Sequence, residues 1–315
     1  MKDNYGRDIF YLRLSVTDLC NLRCIYCMPE GGVAKRRHED VMPVERITEI
    51  VQASAACGIT KVRVTGGEPL VRGGIIDICS AISATPGICE LCLTTNGILL
   101  PKYAAELKAA GVRRLNISLD SLDPATYREI TRIGELDAAL DGVKAALDTG
   151  FEAVKVNAVL IGGMNESGIS HMLDLTLKYK VNVRFIELMP IGESARWAEE
   201  RFVDASKVLQ IAPELKDIGA DGVAKLYKLP GGLGTVGLIS PISSHFCPTC
   251  NRIRIASDGK LKPCLHSAEE IDLHDLHGPE LEDTIRGAIS KKPQKHNLDT
   301  GEISSSARNM NAIGG

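Results

Sequence analysis

Apolar and polar residues alternate with a period of two along several short stretches, and longer stretches between them carry apolar residues three and four apart. Residues 11–16, 61–65, 91–95, 114–119, 154–161 and 182–188 read as strands. Residues 43–56, 74–84, 102–110, 124–131, 137–149 and 167–179 read as helices. Strand and helix take turns for nearly two hundred residues, which predicts a parallel sheet with right-handed crossovers. The pattern changes after Pro190: 204–212 reads as a helix, 224–229, 236–240 and 252–257 read as shorter strands, and 230–234 is a Gly-rich turn. From Lys291 the chain is polar and Ser-rich, the composition of a loosely ordered tail, and it ends in Ile313-Gly314-Gly315.

The strands carry a second signal. A parallel sheet covered on both faces usually has continuous apolar strands. Here Val62 and Val64 alternate with Lys61, Arg63 and Thr65, and Leu115, Ile117 and Leu119 with Asn116, Ser118 and Asp120. Lys155 and Asn157 alternate with Val154 and Val156, and Arg13, Ser15 and Thr17 share one face. Successive side chains leave a strand on opposite faces, so one face meets the helices and the other is polar and basic. An antiparallel sheet with a wetted face would also alternate, but the βα order speaks against it. The expected fold is α/β, an incomplete (β/α)6 TIM-like barrel over residues 1–200 with a polar interior, followed by a C-terminal region over 201–315. Six units fall short of the eight of a closed barrel.

The net charge of −3 excludes a globally basic surface for nucleic acid or membrane, so an anionic ligand needs a local cluster of Arg and Lys. The N-terminal residues hold no apolar signal core and no apolar run reaches membrane-span length, which makes the cytoplasm the expected location. Ten cysteines in such a compartment read as metal ligands or catalytic groups before disulfides. Six fall in two tight groups, and Cys57, Cys79, Cys89 and Cys92 lie among apolar residues as expected small buried hydrophobes.

The first group is Cys20-x₃-Cys24-x₂-Cys27, directly after the first strand. Three thiolates on a [4Fe–4S] cube leave one iron free to chelate a ligand. A structural zinc knuckle is the alternative, and it lacks a fourth ligand nearby. The spacing, with Tyr26 before the last Cys, resembles the radical S-adenosylmethionine (SAM) superfamily, in which the open iron binds SAM and an electron releases a 5′-deoxyadenosyl radical. Thr65-Gly66-Gly67-Glu68-Pro69 after the second strand resembles that superfamily's GGEP element.

The second group is Cys247-x₂-Cys250-x₁₃-Cys264. A zinc site of three Cys with His245 or His266 is an alternative on this segment alone. Arg252 and Arg254, two apart on a strand, leave the same face and suit a polyphosphate. The stretches LRLSVTD, VRVTGGEPL, LTTNG, RLNISLDSLD, VKVNAVL, RFIELMP, FCPTCNRIRI and DGKLKPCL, with the Gly-Gly end, together resemble the GTP 3′,8-cyclase family of molybdenum-cofactor biosynthesis over essentially the whole chain.

The resemblance implies two [4Fe–4S] clusters, one on Cys20, Cys24 and Cys27, and one in the C-terminal extension on Cys247, Cys250 and Cys264. It implies SAM contacts from Tyr26, Gly67, Ser118 and Met189. GTP would be held by Arg13, Arg63, Thr94, Lys155, Arg252 and Arg254, with Arg184 a further candidate. The implied chemistry is removal of the ribose H3′, attack of C3′ on C8 of the guanine, and reduction to a cyclic dihydro-GTP. A flavodoxin or ferredoxin would supply electrons, and a pyranopterin monophosphate synthase would consume the product. The implied protein is a monomer or homodimer. The Gly-Gly tail would enter the active site; a frayed terminus is the alternative. Leu19 and Arg72-Gly73-Gly74 depart from the family pattern without touching a ligand position.

Two other classes compete. Another radical SAM enzyme with an auxiliary cluster, such as a peptide maturase, would cleave SAM indifferently to GTP. A zinc-stabilised binding module would not cleave it. His274-x₂-His277 and the basic run at 35–38 read as surface features.

Overall fold

The computed structural model of the chain describes residues 1–34, 41–296, 298 and 302–314; the basic run at 35–38 and Gly315 lie outside the described residues. All six expected strands form: β1 (Tyr11–Ser15), β2 (Lys61–Thr65), β3 (Glu90–Thr95), β4 (Val112–Ser118), β5 (Ala153–Leu160) and β6 (Asn182–Glu187). So do the six helices: α1 (Val44–Ala56), α2 (Ile75–Ala84), α3 (Leu100–Ala109), α4 (Pro124–Thr131), α5 (Leu136–Thr149) and α6 (Ile169–Lys178). The C-terminal region adds α7 (Lys207–Ile211), β7 (Lys216–Asp221), β8 (Ala224–Lys228), β9 (Thr235–Ile239), β10 (Arg252–Ile255), β11 (Lys260–Lys262), β12 (Ile271–Asp272), α8 (Gly278–Ser290) and α9 (Met310–Ile313).

The six βα units are extended at both edges. One sheet runs β12-β11-β10-β1-β2-β3-β4-β5-β6-β9-β8-β7, in which β10 pairs parallel with β1 and β9 parallel with β6. Eight neighbouring strands are therefore parallel, and the antiparallel β11–β12 and β8–β7 flank them. The barrel is incomplete because β12 and β7 are edges of the sheet rather than partners. The sheet curves enough that residues of β1 through β6 (Arg13, Thr65, Thr94, Ser118, Asn157 and Ile186) line one cavity.

The period-2 pattern sorts the faces. Leu12, Leu14, Val62, Val64, Leu91, Leu93, Leu115, Ile117, Val154 and Val156 are buried in the core with Ile47, Ile50 and Val51 of α1, Ile78 and Ile82 of α2, Leu107 of α3 and Val143 of α5. Fully burying such a side chain contributes about 1.5–3 kcal/mol, an upper figure because the unfolded chain already hides part of it. α5 ends at Gly150, whose positive φ of 73° closes the helix. β7 escaped the sequence reading because its residues are largely exposed and carry no apolar face.

The tail differs from its expectation of loose order. Asn311 and Ile313 are buried, and Arg308 is ion-paired to Asp258 and Glu270 on the β10–β12 extension. Composition reports only the polar residues, whereas these particular ones meet buried or half-buried partners. No helix among the described residues is long and apolar enough to cross a membrane.

Candidate active site

The loop after β1 brings Cys20, Cys24 and Cys27 to the wall of a cavity of about 180 Å³ at the C-terminal ends of the strands. Tyr26, Gly67 and Ser118 line the same cavity. Gly67 is required by close approach: a Cβ there would stand 2.3 Å from the Leu19 carbonyl oxygen and 2.6 Å from that of Asp18. The Gly67 and Glu68 amides donate to the Thr17 and Leu19 carbonyls at 2.7 and 2.8 Å, so the GGEP turn is stitched to the cysteine loop. The buried Glu68 carboxylate accepts from Leu70 N, Thr95 Oγ1 and Asn96 N, and Asn96 Nδ2 reaches Asn21 Oδ1 at 2.7 Å. Tyr26 donates to Asp120 Oδ2 at 2.8 Å.

These thiols are hard to ionise alone. Burial, then Glu68, pushes Cys20 up to about 11; burial, then Cys20 and Asp120, pushes Cys27 up to about 12. Cys24 is raised well above the usual thiol value by burial, Cys27 and Asp120. Such a set is a fit for a cationic cluster, which supplies the charge three buried thiolates need. Thr94 Oγ1 and Asn157 Oδ1, both on the cavity these thiols line, are buried without a hydrogen-bond partner among the described residues, as polar ligand contacts would be.

The second cysteine group has opposite electrostatics. Cys247, Cys250 and Cys264 line a cavity of about 80 Å³ together with Met189, Arg252, Arg254 and Lys292. Burial pushes Cys250 up, but Arg252 and Lys292 outweigh it and bring the thiol to about 7. Lys292 donates to the Pro263 carbonyl at 2.6 Å, and Arg7 donates to that of Cys247 at 3.0 Å. The three thiols are mutually close enough to repel, and Cys247 is raised by burial and by the other two. Soft donors in a cationic pocket again fit an iron–sulfur cluster. His245 stacks edge-on with His296 and His266 bonds Ser304, while His277 pairs with Glu49 at the surface.

The two groups sit at opposite ends of neighbouring strands. Cys20 follows the C-terminal end of β1, and Cys250 precedes the N-terminal end of β10, where Tyr11 stands opposite Arg252. The strand between spans about 13 Å. In that interval Arg254, Arg13 and Arg63 form one row across β10, β1 and β2. Arg63 donates to the Tyr11 hydroxyl, and Arg254 to the Gly314 carbonyl. Gly314 has φ +83°, and a Cβ there would stand 2.3 Å from Thr65 Oγ1, so the tail's end lies inside the barrel. Met310 lines the first cavity, and Asn311 Nδ2 donates to the Asp18 carbonyl at 3.1 Å.

The expected site residues thus share the interior but not one cavity. Arg13, Thr94, Tyr26, Gly67 and Ser118 lie on the first. Met189, Arg252 and Arg254 lie on the second. Lys155 lies on a third, with Asn182 and Asp221. Sequence reasoning missed Asp221, Lys292 and Arg7; a lone Asp-Gly pair and two scattered cations gave no periodic signal. Cys57, Cys79 and Cys92 are buried as expected, but Cys89 is exposed because it lies just outside β3.

Residues 14–176 match the family described as "Radical SAM superfamily", and 181–298 the one described as "Molybdenum Cofactor Synthesis C". The GTP 3′,8-cyclase of Alkaliphilus oremlandii is 51% identical over 320 residues, covering 100% of both chains. That of Alkaliphilus metalliredigens is 52% identical over 322 residues at the same coverage. That of Geobacter sulfurreducens is 43% identical, covering 99% of each. Among solved structures, Streptococcus suis SuiB bound to precursor peptide SuiA superposes with TM-score 0.65 at 15% identity, over 92% of this chain and 66% of that one, just under two thirds of it. Native anSMEcpe with bound AdoMet superposes with TM-score 0.51 at 16% identity, over 89% and 83%. At such identities the two structures speak for the fold alone, whereas the full-length relatives carry more: this chain belongs to the GTP 3′,8-cyclase family of the radical SAM superfamily.

Proposed function

We propose that this chain is a GTP 3′,8-cyclase, forming 3′,8-cyclo-7,8-dihydro-GTP in the first step of molybdenum-cofactor biosynthesis. The observation that carries this reading is the row Arg254–Arg13–Arg63 lying between two separate cysteine triads. Three neighbouring cations in a barrel interior repel one another unless an anion joins them. A nucleotide triphosphate answers that need and presents a ribose between the two ends.

In this reading Cys20, Cys24 and Cys27 hold a [4Fe–4S] cluster, and Cys247, Cys250 and Cys264 a second. Held by Cys20, Cys24 and Cys27 with SAM bound, that cluster would supply the one-electron reduction on which radical SAM chemistry depends. Tyr26, Gly67, Ser118 and Met189 orient SAM. Arg13, Arg63, Thr94, Lys155, Arg184, Arg252 and Arg254 clamp GTP at both ends. Holding C3′ near C8 is a positioning task, and a rigid strand-borne clamp performs it by removing freedom before reaction. Residues 1–200 would carry the radical chemistry and 201–315 the auxiliary cluster. A flavodoxin- or ferredoxin-type reductant, a downstream pyranopterin monophosphate synthase, a cytoplasmic location and a monomeric or homodimeric state complete the proposal.

The test is anaerobic. Protein reconstituted with iron and sulfide is given reductant and SAM, with or without GTP, and 5′-deoxyadenosine is quantified by mass spectrometry. A GTP-dependent rise with a cyclised GTP product supports the cyclase. Cleavage that ignores GTP keeps the radical chemistry and removes the substrate. No cleavage in iron-loaded protein removes both.

A further inference from the structure

Two buried cations in the barrel are satisfied by a carboxylate from its least buried strand. Lys155 Nζ and Arg184 Nη2 both reach Asp221 Oδ2 at 2.6 Å. Lys155 and Arg184 are each 7% exposed and stand on β5 and β6, inside the sheet. Asp221 ends β7, the edge strand, and pairs with Ala224 across a two-residue turn. Its side chain is 44% exposed, and residues 216–220 before it are all exposed. The cations are therefore held by packed neighbours, whereas little but its own two ion pairs holds the carboxylate. An open cavity of about 430 Å³, lined by Lys155, Asn182 and Asp221, leaves room for it to withdraw. Gly237, opposite Arg184 on β9, has only hydrogen where a Cβ would stand 3.0 Å from Arg184 Cγ, so the guanidinium stem has room at this spot.

We propose that Asp221 is an internal stand-in for nucleotide phosphate, which keeps Lys155 and Arg184 paired in the empty enzyme and is displaced when a polyphosphate binds. The inference rests on the reading that a guanosine polyphosphate is the substrate. One carboxylate carries a single charge, whereas a triphosphate carries several and offers many more acceptor oxygens, so the exchange favours the nucleotide. Guanosine, with no phosphate, cannot make the exchange. Only a nucleotide therefore releases Asp221, and that release frees the β7–β8 hairpin.

The experiment is calorimetric titration of the full-length reconstituted protein with GTP, guanosine and inorganic tripolyphosphate, for wild type and Asp221→Asn. Asp221→Ser serves as a second neutral variant, and circular dichroism checks both folds. Removing a competing, partly exposed charge pair should tighten GTP and tripolyphosphate about five- to tenfold and leave guanosine unchanged. Hydrogen exchange of residues 216–228 in the wild type should rise on adding GTP and not on adding guanosine. Unchanged or weakened GTP binding in both variants, or unaltered hairpin exchange, overturns the proposal. If the wild type binds tripolyphosphate but not GTP, the substrate reading fails while the variants still test Asp221 with the inorganic anion.

Discussion

Arg13 and Arg254 stand opposite each other on adjacent parallel strands, their side chains on the same interior face. Burial holds Arg13 down at about 10, Tyr11 opposing and Arg63 and Arg252 reinforcing, and it drives Arg254 well below its ordinary value with Arg13 and Arg252 adding to the effect. The relationship is unfavourable to the fold alone and intelligible as a ligand site. The same pairing would preorganise the proposed site for an anion.

That trade can be measured. Arg13→Met should raise the melting temperature of nucleotide-free protein, by about 2 °C for each 1 kcal/mol of relieved repulsion. It should also weaken GTP by about 1.5–3 kcal/mol, the worth of a charged hydrogen bond. Arg252→Ala should weaken GTP to a similar degree. Unchanged GTP affinity in equilibrium dialysis removes either residue from the site.

The two cysteine groups should separate by substitution. Cys24→Ala should abolish 5′-deoxyadenosine formation. Cys250→Ala should lower iron from about eight to about four per chain, keep SAM cleavage and lose the GTP-derived product. Iron analysis with product mass spectrometry distinguishes the two, and an intact product from Cys250→Ala would sink the role of the second group.

GTP affinity should fall as pH rises through about 8. Burial, then Arg184, brings Lys155 down to about 8 despite Asp221, while Asp221 itself, though burial opposes, is held at about 2 by Lys155 and Arg184. The two partners differ because Lys155 is buried and Asp221 half-exposed. Lys155 is charged below that pH and neutral above it, so the phosphate loses a cation on the alkaline side. Lys155→Arg keeps its charge and should flatten the profile between about pH 7 and 9. An identical slope in the variant would assign the titration elsewhere.

Gly67→Ala should displace the cysteine loop, because its Cβ would meet the Leu19 and Asp18 carbonyls, which are backbone and cannot rotate away. The expected loss is about 1–3 kcal/mol of stability by denaturant unfolding. SAM-dependent cleavage should fall with it, and normal stability with normal cleavage would show that the loop gives way freely.

Much of the site was legible along the chain. Alternation in 61–65 and 114–119 exposed a polar interior because side chains on a strand change face every residue. Cys20, Cys24 and Cys27 fall within eight residues, so one loop holds them. Tail docking was not legible, since Asn311 looks like any polar residue until Asp18 is placed beside it.

The sequence by itself determined the six βα units, the face each strand turns inward and the membership of each cysteine group, for all of these follow from local spacing. Only the tertiary structure decided that β10 lies beside β1, setting Arg254 against Arg13 across 241 residues of chain. It alone brought Asp221 of an edge hairpin to Lys155 and Arg184. Strand neighbours are chosen by burial and hydrogen bonding summed over the whole sheet, and that sum leaves no periodic trace in either partner.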